Sequence, residues 1–233
     1  MRETDLFEPV RDYLQNQGYA VAAEVRHCDV AARKKDELVI VELKTSLNLT
    51  LLGQAVQRQT VADAVYVAIP EPRRITKTLK QSQKVLARLG LGLLTIHFGP
   101  LRTSVNCRLE PNYRGRINRR ERNRILKEME GRSLQLNTGG MNNLPIVTAY
   151  REQAITLASI LSIRGSCSVG ELKPITGDKT TSILYRNHYG WFIREARGRY
   201  ALSPEGAEAL HEYPELVALA LPLAAKLDEQ NPA

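Results

Sequence analysis

Cysteine is scarce in this 233-residue chain, which has only three: Cys28, Cys107 and Cys167. They are far apart and show neither CxxC nor other metal-ligand spacing, so a disulfide scaffold and a zinc module are excluded. Aromatic residues make up 6% of the chain, with one tryptophan and three phenylalanines. No long apolar run is present. The longest near the end, residues 216–225, is interrupted by Pro222, whereas a membrane span needs about 20 apolar residues. Behind Met1-Arg2-Glu3-Thr4-Asp5 there is no apolar leader segment, so the expectation is a cytoplasmic protein without membrane association. No repeat is visible. With 43% hydrophobic and 25% charged residues, the composition is that of a folded globular chain. Its length favours two domains.

The charge is uneven. The formal net charge is +8, and most of the excess falls in residues 101–150, with ten Lys/Arg against four Asp/Glu. Arg114, Arg116, Arg119, Arg120, Arg122 and Arg124 belong to this stretch. Clustered arginine is the footprint of a polyanion partner, because the guanidinium fork matches phosphate geometry. The competing reading is a solvated helix face, since Glu121, Glu128 and Glu130 are interleaved with the arginines.

Periodicity divides the chain. In residues 1–110, helical and strand patterns alternate, which predicts an α/β layer structure. Thr4 opens a helix carrying Leu6, Val10, Tyr13 and Leu14 on one face, stopped by Gly18. Strands are predicted at 19–25, 29–33, 38–44, 64–69, 91–97 and 104–109, and helices at 48–60 and 76–89. The start of the 38–44 strand is apolar at every position, the mark of a central strand covered on both faces. Residues 111–145 read as a basic helical linker, with Thr138-Gly139-Gly140-Met141-Asn142-Asn143 as an interdomain loop. Residues 146–233 read as three helices (148–163, one opened by Ser168, and 179–187), two strands at 191–194 and 198–202 joined by a basic turn, and a helix from Ser203. That is the pattern of a winged helix-turn-helix. Lys179 to Arg186 would then enter a groove, with Arg194, Arg197 and Arg199 flanking the wing. This segment carries no net positive charge, which also suits a protein partner.

The chemistry-bearing signal is Asp29 followed by Glu42-Leu43-Lys44. Glu42 and Lys44 are two apart on a strand and therefore share a face. A hairpin turning at 34–37 would set Asp29 beside Glu42. Two carboxylates in one place repel, and a hard divalent cation relieves that repulsion. A neighbouring lysine can hold an attacking water. The competing reading is a surface ion pair between Glu42 and Lys44.

An Asp followed about 13 residues later by Glu-x-Lys resembles the signature of the PD-(D/E)XK phosphodiesterases, although His27-Cys28-Asp29 stands where Pro-Asp would. The wider sequence resembles a bacterial family of that type, through Glu3-Thr4-Asp5-Leu6, Gln17-Gly18-Tyr19-Ala20-Val21, Glu24 to Val30, Val39 to Lys44, Gln54 to Arg58, Asp63 to Ala68 and Asn112 to Arg116. The resemblance implies a restriction-endonuclease-like mixed sheet flanked by helices, followed by a small winged helix-turn-helix domain. The resemblance names no substrate; taken with the clustered arginines, the expectation is metal-dependent hydrolysis of nucleic-acid phosphodiesters, DNA ahead of RNA, with Mg²⁺ (or Mn²⁺) as cofactor. By position, Asp29, Glu42 and the carbonyl of Leu43 would be metal ligands and Lys44 the catalytic lysine. Glu3 would assist, ahead of Glu8. Gln54 would face the site with Arg58, which is one helical turn further on and is assigned to nucleic acid. Gln57 is the alternative to Gln54, and Glu24 is either a supporting acid or an ordinary surface charge. The nucleic-acid set is completed by the arginines above with Lys179, Arg186, Arg197 and Arg199. A nucleic-acid-binding or regulatory protein on the same fold, without turnover, is the second reading. The sequence leaves homodimer formation open.

Overall fold

The computed structural model describes residues 1–72, 74, 76–133, 137, 139 and 146–230. The chain divides into two compact units. The first takes Met1–Gly131 and Gln135–Ile146, and the second Arg132–Leu134 and Val147–Ala233. Residues 111–131, expected as part of a linker, therefore belong to the first unit.

The first unit is built on a six-stranded mixed sheet. After a 3-10 turn at Glu3–Leu6 come α1 (Phe7–Asn16), β1 (Ala20–Val25), β2 (Cys28–Lys34), β3 (Glu37–Leu43), α2 (Leu49–Arg58), β4 (Ala64–Pro70), α3 (Lys77–Leu89), β5 (Gly92–Phe98), β6 (Thr103–Leu109) and α4 (Arg119–Glu130). The strands lie in sequence order. β1–β2–β3 is an antiparallel meander. β3, β4 and β5 run parallel, with α2 and α3 as crossovers, and β6 returns antiparallel. This is the mixed, helix-flanked sheet that the resemblance implies.

Alternation assigns the faces. Leu38 and Ile40 of β3 pack with Leu51 and Ala55 of α2, Leu86 of α3 and Ile125 of α4. Val39, Val41 and Leu43 pack on the opposite face with Leu6, Phe7, Val10 and Leu14. β3 is thus covered on both sides, as its apolar run predicts. By the same alternation Glu42 lies on the α2 face.

Two turns set the registers. The β2–β3 hairpin closes at Lys34↔Glu37, with Lys35 at φ 55°. The β1–β2 hairpin closes at Val25↔Cys28, and both residues of its tight loop are left-handed, Arg26 at φ 47° and His27 at φ 68°. Glu24 is left-handed as well, at φ 51°. Such turns normally take Asn or Gly, so three side-chain-bearing residues here hold disfavoured backbone.

The second unit contains α5 (Ala149–Arg164), β7 (Ser166–Ser168), α6 (Val169–Thr176), α7 (Thr180–Arg186), β8 (Phe192–Ala196), β9 (Arg199–Leu202), α8 (Pro204–Leu210) and α9 (Pro214–Gln230). β9 is the centre of a three-stranded antiparallel sheet between β7 and β8. α5 is the core helix, burying Ala154, Ile155, Leu157, Ala158, Ile160 and Leu161. Trp191, Phe192 and Tyr200 are buried in this unit too.

Candidate active site

The β2–β3 hairpin decides the geometry of the acid pair. Val30 faces Val41, so continuing the register sets Asp29 opposite Glu42. The two carboxyl groups are thereby close enough for each to perturb the titration of the other. Asp29 Oδ2 also accepts from the Leu43 amide at 2.8 Å, fixing the carboxyl against the end of β3. Glu42 is only 1% exposed, and its Oε1 accepts from Arg58 Nε at 2.7 Å. The Arg58 guanidinium also donates to the His27 carbonyl, bridging α2 to the strained β1–β2 turn. Lys44 follows β3, and its amide donates to the Ala68 carbonyl at 3.1 Å. Its Nζ pairs with Glu3 Oε2 at 2.6 Å, across 41 residues of sequence.

Burial and mutual repulsion govern the titration of the pair. The Glu42 carboxyl is pushed up to about 7, first by burial and then by the charge of Asp29, with Arg58 opposing the rise. Asp29 is pushed up by burial, against the Leu43 amide and the charge of Lys44. A buried acid beside a half-buried one, with both carboxyls pushed up, marks the spot where a positive charge stabilises most. Cys28 is buried beside them, and burial pushes its thiol up to about 12, so it is not a nucleophile at neutral pH.

The residues suit a hard divalent cation. Their donors are all oxygen, they carry two negative charges when ionised, and they are preorganised by the hairpin. Gln54 Oε1, one turn before Arg58 on α2, is buried without a hydrogen-bond partner among the described residues, so a further oxygen is left unsatisfied near this face. Among the described residues, no group of three or more His, Cys, Asp or Glu is arranged to hold a metal. The set stops at the acid pair and Arg58 supplies its present counter-charge.

Residues 94–209 match the family described as "Putative PD-(D/E)XK phosphodiesterase (DUF2161)". The chain belongs to this family. The matched stretch of this PD-(D/E)XK family member runs from β5 to α8, so Asp29, Glu42 and Lys44 lie outside it. No curated protein and no solved structure matches the chain.

The other sequence-derived positions fall into two sets. Arg58, expected on the nucleic-acid surface, is instead largely buried against Glu42, because a buried carboxylate beside another requires a cation. Arg122 is likewise drawn inward. It pairs with Asp63 Oδ2 at 2.6 Å and donates to the Asp36 carbonyl, tying α4 to the sheet. Arg124 is exposed and pairs with Glu121 at 2.5 Å. Arg114, Arg116, Arg119 and Arg120 are exposed. Arg116 and Arg119 line an open groove of about 1240 Å³ with Asn118 and Asn123. In the second unit, Arg186 and Arg197 are exposed, Lys179 stands at the N-cap position of α7 without a side-chain cap bond, and Arg199 pairs with Glu171 at 3.6 Å. Gly139, expected in an interdomain loop, comes so close to β2 that a Cβ there would lie 2.6 Å from the Asp29 carbonyl oxygen. The rest of that predicted loop, Thr138 and Gly140 to Asn143, lies outside the described residues. No helix among the described residues is long and apolar enough to cross a membrane.

Sequence reasoning missed the Arg58–Glu42 pair and the strained turn. Arg58 at the spacing of one turn from Gln54 was a signal for the first. The turn Arg26-His27 contains neither Gly nor Asn and gives none.

Proposed function

We propose that the protein is a divalent-metal-dependent nuclease whose reacting groups are Asp29, Glu42 and Lys44. The observation that carries this reading is the register that sets the half-buried Asp29 carboxyl opposite the buried Glu42 carboxyl at the end of the strand that leads to Lys44. Asp29, Glu42 and the Leu43 carbonyl would hold Mg²⁺ or Mn²⁺. Such an ion, when bound, supplies charge stabilisation on the phosphate and a more acidic water. Lys44 presents an ammonium that can hold a water or a phosphate oxygen, and Glu3 orients it until substrate competes for it. Arg58 holds Glu42 in place from the α2 side.

The exposed Arg114, Arg116, Arg119 and Arg120 would bind phosphates, with DNA the first substrate to try. The second unit begins helix, strand, helix, helix, strand, strand before α8 and α9, an order that supports a winged helix-turn-helix reading. In it Lys179, Arg186 and Arg197 would contact the nucleic acid, and Arg199 would brace α6 through Glu171. The test is cleavage of labelled DNA and RNA, single- and double-stranded, with Mg²⁺, Mn²⁺ or chelator. Metal-dependent cleavage of any of them is the expected result. Binding without cleavage under every condition would overturn it.

One observation favours a second reading. Arg58 already neutralises Glu42 with the protein's own cation. If it excludes metal, the fold binds nucleic acid without turnover, and calorimetric titration with Mn²⁺ would then show no heat of binding that depends on Glu42.

A further inference from the structure

The acid pair is not the only polar constellation at this end of the sheet. The parallel strands β3, β4 and β5 all end on the same edge, the edge where open α/β sheets bind ligands. By alternation Glu42 of β3, Thr95 and His97 of β5, and Glu71 just past β4 belong to the α2–α3 face. Glu71, Thr95 and Arg108 line a cavity of about 290 Å³ between α3 and the sheet. Its other walls are Pro72 and Leu79, with Lys80 and Gln83 of α3 at its side.

The cavity is built rather than incidental. Arg108 donates to Glu71 and, through Nε, to the fully buried Thr95 Oγ1 at 3.2 Å. His97 Nδ1 lies 3.1 Å from the other Glu71 oxygen. Glu71 and Arg108 are thereby held in fixed orientations, while a guanidinium with five N–H groups retains unused donors. The Gln83 amide makes no hydrogen bond among the described residues and offers both a donor and an acceptor.

The chemistry selects the ligand. A phosphate would meet the Glu71 carboxylate, so an anion is disfavoured. An apolar ligand would strand Glu71, Arg108 and Gln83 without partners. A flat ligand with apolar faces and an edge of donors and acceptors satisfies both the Pro72–Leu79 walls and the polar rim, and a nucleobase is such a ligand. The volume lies at the small end of the roughly 300–1,000 Å³ usual for ligand pockets, which suits one base and no stacked pair. Strands lie about 4.8 Å apart, so β5 sits about 10 Å from β3, within reach of a base flanking the cleaved phosphate.

We propose that this cavity holds one unpaired nucleobase, and that the substrate is therefore single-stranded or locally unpaired nucleic acid. The proposal rests on the nuclease reading for its context, but binding tests it separately. The full chain, in chelator so that nothing is cut, is titrated with a fluorescently labelled single strand, with the same strand carrying one abasic site at each position in turn, and with the matched duplex. At one position the abasic strand binds about tenfold more weakly, and the duplex binds more weakly than the single strand. Gln83→Ala and Glu71→Gln abolish the base-dependent tenfold and leave duplex binding unchanged. Gln83 stands outside the Arg108–His97 network, so Gln83→Ala keeps the test valid if Glu71→Gln loosens that network. Equal binding of intact and abasic strands at every position, or no binding of any strand, overturns the proposal. Base-dependent binding by a protein that cuts nothing with metal keeps this pocket and removes the nuclease reading. Cleavage indifferent to the abasic position does the reverse.

Discussion

Each unit buries a glutamate on a regular element, and the two are satisfied in opposite ways. Glu152 on α5 of the second unit is 5% exposed, and both its oxygens accept from the Ser133 amide, at 2.8 and 3.0 Å. Glu42 on β3 faces another acid and a guanidinium. A carboxylate met by a backbone donor is a closed structural contact, because the donor is neutral and has no other use. A carboxylate met by a second carboxylate carries unresolved repulsion, which only a cation or a proton relieves. The difference separates an acid that shapes the fold from an acid that awaits a ligand.

The largest effect that tests this contrast is on chemistry. Lys44→Ala lowers metal-dependent cleavage by roughly 10²–10³-fold, the usual cost of losing one donor to developing charge. Asp29→Asn lowers it further, because the metal donor set loses a charge. Binding of nucleic acid in chelator stays within a few-fold for Lys44→Ala. Glu152→Ala changes neither quantity. Equal loss of cleavage in Glu152→Ala would erase the distinction.

Stability reverses the ranking. Glu152→Ala leaves the Ser133 amide without its partner and costs about 1–3 kcal/mol. The one tryptophan, Trp191, is buried in the second unit, so its fluorescence during urea unfolding reports on that unit. Arg122→Ala destabilises the first unit by removing the tie between α4 and Asp63, and leaves the tryptophan transition in place.

On the surface the expected effect is smaller per residue. Replacing the exposed Arg116, Arg119 and Arg120 by alanine reduces the slope of log affinity against log salt by about 0.9 for each duplex phosphate that these arginines neutralise. Arg122 does not belong in that set, since its guanidinium is already committed. An unchanged slope would move the polyanion surface away from α4.

Much of this was legible in the sequence where local pattern and tertiary structure agree. The run Leu38 to Val41 announced a strand covered on both faces, and the polar turn at 34–37 announced the hairpin that sets Asp29 opposite Glu42. Ser168 with Glu171 announced the start of α6, and both capping hydrogen bonds are present. What escaped depends on distance in sequence. Arg122 meets Asp63 across 59 residues, and no periodicity encodes that pair; Glu3, which meets Lys44 across 41, was placed at the site through the family resemblance alone. β7 has three residues and exists only by pairing with β9. Arg26 and His27 take left-handed backbone although neither favours it. The surrounding hairpin and the Arg58 bond to the His27 carbonyl hold them there.

The smallest effect sharpens the contrast from the structural side. Glu171 accepts from the Ser168 amide at 2.5 Å, while Ser168 Oγ accepts from the Glu171 amide at 3.2 Å. These bonds to Ser168, with the charge of Arg199, hold the Glu171 carboxyl below its ordinary value of 4.5. A depressed carboxyl contributes stability that is complete above its unfolded value and is lost as the pH falls through the folded one. Glu171→Gln therefore destabilises the second unit at pH 7 and loses that disadvantage progressively below about pH 4.5, where wild-type Glu171 also takes up a proton. Ser168→Ala removes the hydroxyl cap and costs about 1 kcal/mol at either pH. Urea unfolding followed by Trp191 fluorescence at pH 7 and pH 4 separates the two. A constant gap between wild type and Glu171→Gln would show that the carboxylate's charge contributes nothing, and that the cap acts through geometry alone.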